Sequence, residues 1–80
     1  MGVVLEKLVK TIATALVDNK EAVDVTSRQD KHTVIIEIKA DSKDLGKIIG
    51  KEGKIAKAIR TITKAAAIKS GEKVVVDILQ

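Results

Sequence analysis

Residues 46–54 read Gly-Lys-Ile-Ile-Gly-Lys-Glu-Gly-Lys. Gly50 and Gly53 allow a tight backbone turn and let a ligand approach with no Cβ in the way. Lys51 and Lys54 place cationic side chains beside that turn. If a helix opens after Gly53, the unpaired N–H groups of its first turn and the positive end of its dipole form a phosphate site. Gly46, one helical turn before Gly50, leaves a shallow dent in which a flat ring can lie, with Ile48, Ile49 and Ile55 as an apolar floor. Taken alone, two glycines at this spacing make only a tight turn between helices. The reading gains weight from what surrounds them.

The formal net charge of the chain is +4. Residues 43–60 carry Lys43, Lys47, Lys51, Lys54, Lys57 and Arg60 against Asp44 and Glu52, so this segment holds the whole excess and the remainder is balanced. The segment also contains three of the five glycines. Concentrated positive charge around a glycine turn points to a polyanionic ligand rather than to a merely solvated face. There is no Phe, Tyr or Trp, so a nucleic-acid surface built on aromatic stacking is excluded.

The elements needed to hold this loop are legible on either side. Leu5, Leu8, Ile12 and Leu16, with Val9 and Ala15 beside them, recur at helical spacing and predict an amphipathic helix over 3–18, stopped by Asp18-Asn19. Val23 and Val25 predict a strand over about 22–28. Gln29-Asp30-Lys31-His32 predicts a turn, and Thr33 to Lys39 predicts a second strand with Val34, Ile36 and Ile38 on one face. Asp41 or Ser42 offers an N-cap for a short helix ending at Ile49. After the glycine turn, Ile55, Ile59, Ile62 and Ala66 predict the buried stripe of a helix over 54–69, with a C-cap at Ser70-Gly71. Lys73 to Leu79 predicts a last strand, with Val74, Val76 and Ile78 facing one way. The expected architecture is a single α+β domain over 1–80 in the order α-β-β-α-α-β, its three-stranded sheet covered by three helices on one face.

The run Leu45-Gly-Lys-Ile-Ile-Gly-Lys-Glu-Gly-Lys-Ile-Ala-Lys-Ala-Ile-Arg-Thr-Ile resembles the KH motif, and the element order resembles its type II, prokaryotic form. With its length, its N-terminal helix and its Val-Val-Val-Asp-Ile ending, nearly the whole chain resembles the KhpA family of small bacterial KH proteins. The resemblance implies a cytoplasmic binder of single-stranded RNA and an RNA chaperone or post-transcriptional regulator. It also implies a weak homodimer and a heterodimer with a larger KhpB (Jag/EloR-type) protein, a pair linked in some bacteria to cell-wall synthesis and cell shape. On this reading the RNA-binding residues are Gly46, Lys47, Ile49, Gly50, Lys51, Glu52, Gly53, Lys54, Lys57 and Arg60, and the family's binding loop falls on Gly50, Lys51, Glu52 and Gly53. Glu52 departs from it, a negative charge in a loop meant to face phosphate.

Other chemistries are poorly supplied. The P-loop spacing fails, because three residues separate Gly46 from Gly50 and Glu52 follows Lys51. One His and no Cys leave little for a metal, His32 reads as a turn residue, and no cofactor is implied. No paired carboxylates or nucleophile–base set stands out, so the chain is read as a binding protein and not an enzyme. No apolar run approaches the roughly 18 residues of a membrane span. The competing reading is a protein-interaction module: Ile68, in Ala65-Ala66-Ala67-Ile68, points away from the stripe, and Ile62, Ala65 and Ile68 are the residues expected at a dimer interface.

Overall fold

The computed structural model of the chain describes residues 2–69 and 71–79. Helix α1 spans Gly2–Leu16 and is followed by a 3₁₀ turn at Lys20–Ala22. Strands β1 (Asp24–Asp30) and β2 (Thr33–Lys39) come next, then α2 (Leu45–Ile49), a second 3₁₀ turn at Lys51–Gly53, α3 (Lys54–Ile68) and β3 (Lys73–Ile78). β1 and β2 pair antiparallel across the two-residue turn Lys31-His32, where Lys31 has a left-handed φ of 57°. β2 and β3 pair parallel, which puts β2 in the centre and leaves β3 at an edge.

Alternation along the strands sends Val25, Val34, Ile36, Ile38, Val74 and Val76 to one face, where α1 and α3 pack on them. α2 lies against α3 and α1, held by Ile48, which is fully buried. Removing a side chain like Ile36 or Ile48 from water stabilises by about 1.5–3 kcal/mol, so the position of α2 rests largely on one residue.

Several boundaries move from the sequence expectation. α1 ends at Leu16, and the 3₁₀ turn after it was not anticipated. β1 begins at Asp24 rather than about residue 22, and extends to Asp30, so the turn shrinks to two residues. α2 starts at Leu45, because Asp41 supports a turn ahead of the helix instead of capping it: the Asp44 N–H donates to the Asp41 carbonyl at 2.8 Å, and the Lys43 N–H to Asp41 Oδ1 at 3.0 Å.

The buried stripes are rotated by a residue. In α1 the wholly buried positions are Leu5, Val9 and Ala13, while Leu8, Ile12 and Leu16 are half-buried. In α3 they are Ala56, Ile59, Thr63 and Ala67, and Ile62 is 48% exposed. The expectation followed the largest apolar side chains, whereas three of the four buried α3 positions, Ala56, Thr63 and Ala67, carry small ones beside Ile59. Thr63 belongs there because its hydroxyl donates to the Ile59 carbonyl at 2.6 Å, which hides the polar group inside the helix. At the end of α3 the Gly71 N–H donates to the Ile68 carbonyl and the Glu72 N–H to the Ala67 carbonyl, with Gly71 at φ 74°. This is the paired C-terminal closure that glycine permits; Ser70, the other residue of the expected cap, lies outside the described residues.

Candidate nucleic-acid interface

The glycine turn is built from two glycines that do different work. Gly50 closes α2, its N–H donating to the Gly46 carbonyl at 2.8 Å. Its φ of 77° and ψ of 174° fall in a region essentially reserved for glycine. A Cβ there would sit 2.5 Å from Ile55 Cγ1, so the loop folds back directly onto the first turn of α3. Gly53 is left-handed at φ 74°, but a Cβ on it would meet nothing within 4 Å. Between them Glu52 is also left-handed, at φ 59°, and its side chain is exposed.

Two of the amides expected to face a phosphate are engaged inside the loop. The Gly53 N–H donates to the Gly50 carbonyl at 3.1 Å, and the Lys54 N–H donates to the Lys51 carbonyl. The side chains of Lys51, Lys54 and Lys57 are exposed, and among the described residues none of them has a carboxylate within ion-pair distance.

Lys47 is placed differently. Its ammonium pairs with Asp18, beyond the end of α1, and lies 3.4 Å from Asp44 Oδ1. Asp44 is 3% exposed and accepts the Asn19 N–H at 3.0 Å. That backbone hydrogen bond, aided by Lys47, holds the Asp44 carboxyl below the ordinary 3.8. The Lys47 ammonium is held above 10.5, chiefly by its hydrogen bond to Asp18. Asp41 is likewise lowered, by the Lys43 N–H and then by the Asn19 side chain. Lys47 therefore fastens α2 to the segment after α1.

Of the expected apolar floor, Ile49 and Ile55 are half-buried and reach the surface, while Ile48 belongs to the core. Gly46 is exposed, and its Cβ position is open. Arg60 lies farther along α3, with Nε donating to the Val76 carbonyl at 3.2 Å. A groove between α3 and β3 starts here. One compartment of about 180 Å³ is lined by Arg60, Lys64, Val74, Val75 and Val76. A second, of about 420 Å³, is lined by Lys64, Ile68, Lys73 and Val75 together with Thr33, Glu72 and Val74. Lys64 and the β3 edge were missed from sequence. The signal for Lys64 was present: it follows Lys57 and Arg60 at helical spacing, seven and four residues on.

The residues expected at a dimer interface are all exposed: Ile62 at 48%, Ile68 at 74%, and Ala65. His32 sits in the hairpin turn, its carbonyl accepting the Lys73 N–H at 3.1 Å. Among the described residues no group of His, Cys, Asp and Glu is arranged to hold a metal ion, and no helix is long and apolar enough to cross a membrane.

Comparison with known proteins points one way. Residues 6–78 match the family model described as KhpA/KhpB, KH domain. The chain is 53% identical over 73 residues to RNA-binding protein KhpA of Caldanaerobacter subterraneus subsp. tengcongensis, a match covering 91% of this chain and 97% of the relative. It is 51% identical over 75 residues to RNA-binding protein KhpA of Clostridium perfringens, covering 94% of this chain and all of the relative (100%). Among solved structures, Era of Aquifex aeolicus bound to GDP·AlF4⁻ superposes with a TM-score of 0.61 at 16% identity, over 94% of this chain and 29% of that one. Era in complex with MgGDPNP and nucleotides 1506–1542 of 16S ribosomal RNA gives 0.60 at 16% identity, over 92% of this chain and 28% of that one. At that identity the likeness to Era concerns the fold alone.

Proposed function

The chain belongs to the KhpA/KhpB family of KH domains, and on that premise we propose that it binds single-stranded RNA along the Gly50–Gly53 loop and the groove between α3 and β3. The observation that carries this reading is the contrast within the basic segment: Lys47 is ion-paired, whereas Lys51, Lys54 and Lys57, around a glycine turn that opens α3, have no ion pair among the described residues. Phosphate is held at the loop by the α3 N-terminus and these lysines. Bases lie over Gly46, Ile49 and Ile55 and into the groove past Arg60. Glu52 borders the phosphate site, and Lys47 supports it from behind. The related proteins named above are RNA-binding proteins, and the proposal extends to a role as RNA chaperone or regulator acting with a KhpB (Jag/EloR-type) partner. The exposed Ile62 and Ile68 favour self-association through α3 as a weak homodimer, in addition to RNA binding.

The test is fluorescence anisotropy with an unstructured RNA and a perfect RNA duplex across a salt series. Tighter binding of the single strand is expected, with a log–log salt slope of roughly −1.5 to −2 for two to three neutralised phosphates. Changing Lys51→Asp and Glu52→Asp together is expected to abolish binding with the fold unchanged by circular dichroism, since both side chains are exposed. Equal affinity for duplex and single strand would overturn the preference for single strands, and full affinity in the folded double variant would remove the loop from the binding site and favour protein interaction as its role.

A further inference from the structure

The sheet has two edges, and they are guarded differently. At the β3 edge Arg60 Nε donates to the Val76 carbonyl at 3.2 Å, and Arg60 and Lys64 line the groove beside it. A second strand there would displace the arginine and bring two cationic rows together. β1 forms the other edge and runs for seven residues, Asp24–Asp30. On β2 the His32 and Ile38 carbonyls turn to β3, where they accept the Lys73 and Leu79 amides. The alternate residues Thr33, Ile35 and Glu37 therefore face β1, and their partners Asp30, Arg28 and Thr26 face β2. That leaves the main-chain N–H and C=O groups of Val25, Ser27 and Gln29 turned outward, a template for another strand. Neither a proline nor a bulge closes this edge.

We propose that the β1 edge pairs antiparallel with β1 of a second copy of this chain, about a two-fold axis at Thr26. Charge selects both the occupant and the register. Asp24 and Arg28 stand four residues apart on the sheet face turned away from the helices. Both are exposed, and among the described residues neither has an ion pair. Centring the pair on Thr26 sets Arg28 of each copy against Asp24 of the other. Centring it on Ser27 sets Asp24 against Asp30, and centring it on Arg28 sets two arginines together. In the Thr26 register, Val25 and Ser27 of one copy exchange main-chain hydrogen bonds with Ser27 and Val25 of the other. The two Thr26 side chains meet on the axis at the closer, non-hydrogen-bonded position, a favourable cross-strand pair. α1 repeats the alternation of charge over the same edge: Glu6 accepts the Ser27 hydroxyl at 2.7 Å, and the exposed Lys10 lies one turn on. This surface is separate from the exposed Ile62 and Ile68 of α3. It joins two sheets into one and leaves the β3 edges at the outer rims. On the reading that the groove beside β3 takes single-stranded RNA, the pair offers one long strand two sites.

Sedimentation equilibrium up to millimolar concentration compares the wild type with Arg28→Asp, Asp24→Arg and the double exchange. Either single change sets like charges together twice and is expected to weaken self-association about tenfold. The double exchange restores opposite charges in the same register and is expected to return it to within about threefold of wild type. That rescue separates loss of pairing from loss of fold. The chain has no cysteine, so Thr26→Cys places a single thiol on the axis. The Cα separation of about 4.5 Å expected there suits a disulfide. Thr26→Cys is expected to cross-link on oxidation, and Val75→Cys, on the other edge strand, is not. The oxidised Thr26→Cys dimer is expected to bind a short RNA as the reduced protein does, and a long RNA about tenfold more tightly. A wild type that stays monomeric, or charge reversals that leave self-association unchanged, overturns the pairing of β1. Long RNA held no more tightly by the oxidised dimer than by the reduced protein overturns the two-site arrangement. Failure of both forms to bind any RNA overturns the RNA reading, while sedimentation and cross-linking still decide the pairing.

Discussion

Two adjoining seven-residue stretches of the basic segment do opposite things. From Asp44 to Gly50 the chain is anchored: Ile48 is in the core, Lys47 is ion-paired with Asp18 and Asp44, and Gly50 is wedged against Ile55. From Lys51 to Lys57 it is open, with exposed lysines and a Gly53 whose Cβ position meets nothing. A lysine is a ligand for phosphate only where no carboxylate reaches it first. The anchored stretch aims the loop, and on the proposed reading the open stretch meets the ligand.

The glycines give the largest test of this division. Gly50→Ala combines a backbone conformation closed to side chains with a 2.5 Å approach to Ile55; together these are expected to destabilise by about 3–4 kcal/mol. Gly53→Ala meets only the left-handed penalty of about 1–2 kcal/mol. Urea denaturation of the two variants checks it, and equal losses would erase the distinction between wedge and hinge.

The lysines give the next. Lys47→Ala is expected to lower the melting temperature and leave the salt slope of RNA binding unchanged. Lys51→Ala is expected to leave melting unchanged and to reduce that slope by about 0.7, one phosphate contact. Asp44 adds a pH signature. Its folded carboxyl titrates below its ordinary value, held there first by the Asn19 N–H. It therefore contributes stability that is present above about pH 4, the unfolded value, and lost as pH falls through the lower folded value. Asp44→Asn is expected to be less stable at neutral pH and to show a shallower loss on acidification below about pH 4. A melting profile parallel to wild type across that window would remove Asp44 from the anchor.

Much of this architecture is written in local patterns. The β2 boundaries, the hairpin, the helix break at Gly50 and the glycine closure at Gly71 follow from alternation and from residues suited to tight turns. What the sequence conceals is tertiary. Nothing near Lys47 announces that Asp18, twenty-nine positions away, claims its charge. Thr63 reads as polar until its hydroxyl is seen to be satisfied within the helix. The Arg60–Val76 contact depends on β3 returning parallel to β2, which places an edge carbonyl beside α3. Side-chain size misled the stripe of α3, because close packing against the sheet selects Ala56 and Ala67 over Ile62.

Glu52 gives the smallest and most discriminating effect. It lies in the open stretch, exposed, at φ 59°, just before the Gly53 that opens α3. Its carboxylate sits near the positive end of the α3 dipole, which stabilises by about 0.3–1 kcal/mol. The same charge opposes a phosphate on the loop by a comparable, salt-screened amount. Glu52→Gln preserves the side-chain shape and leaves the left-handed backbone strain in place, so it isolates the charge. A slight fall in melting temperature is expected, with RNA affinity rising by about threefold at low salt and converging on wild type as the Debye length shortens to about 8 Å. Glu52→Gly removes the same charge and also the strain of a side chain at positive φ, so it is expected to melt above Glu52→Gln while binding RNA with similar affinity. Weaker binding by both variants would mean that the carboxylate accepts a hydrogen bond from a base amino group, making Glu52 part of the recognition surface. Stability and affinity moving in opposite directions would leave it as a helix-stabilising charge that restrains RNA binding.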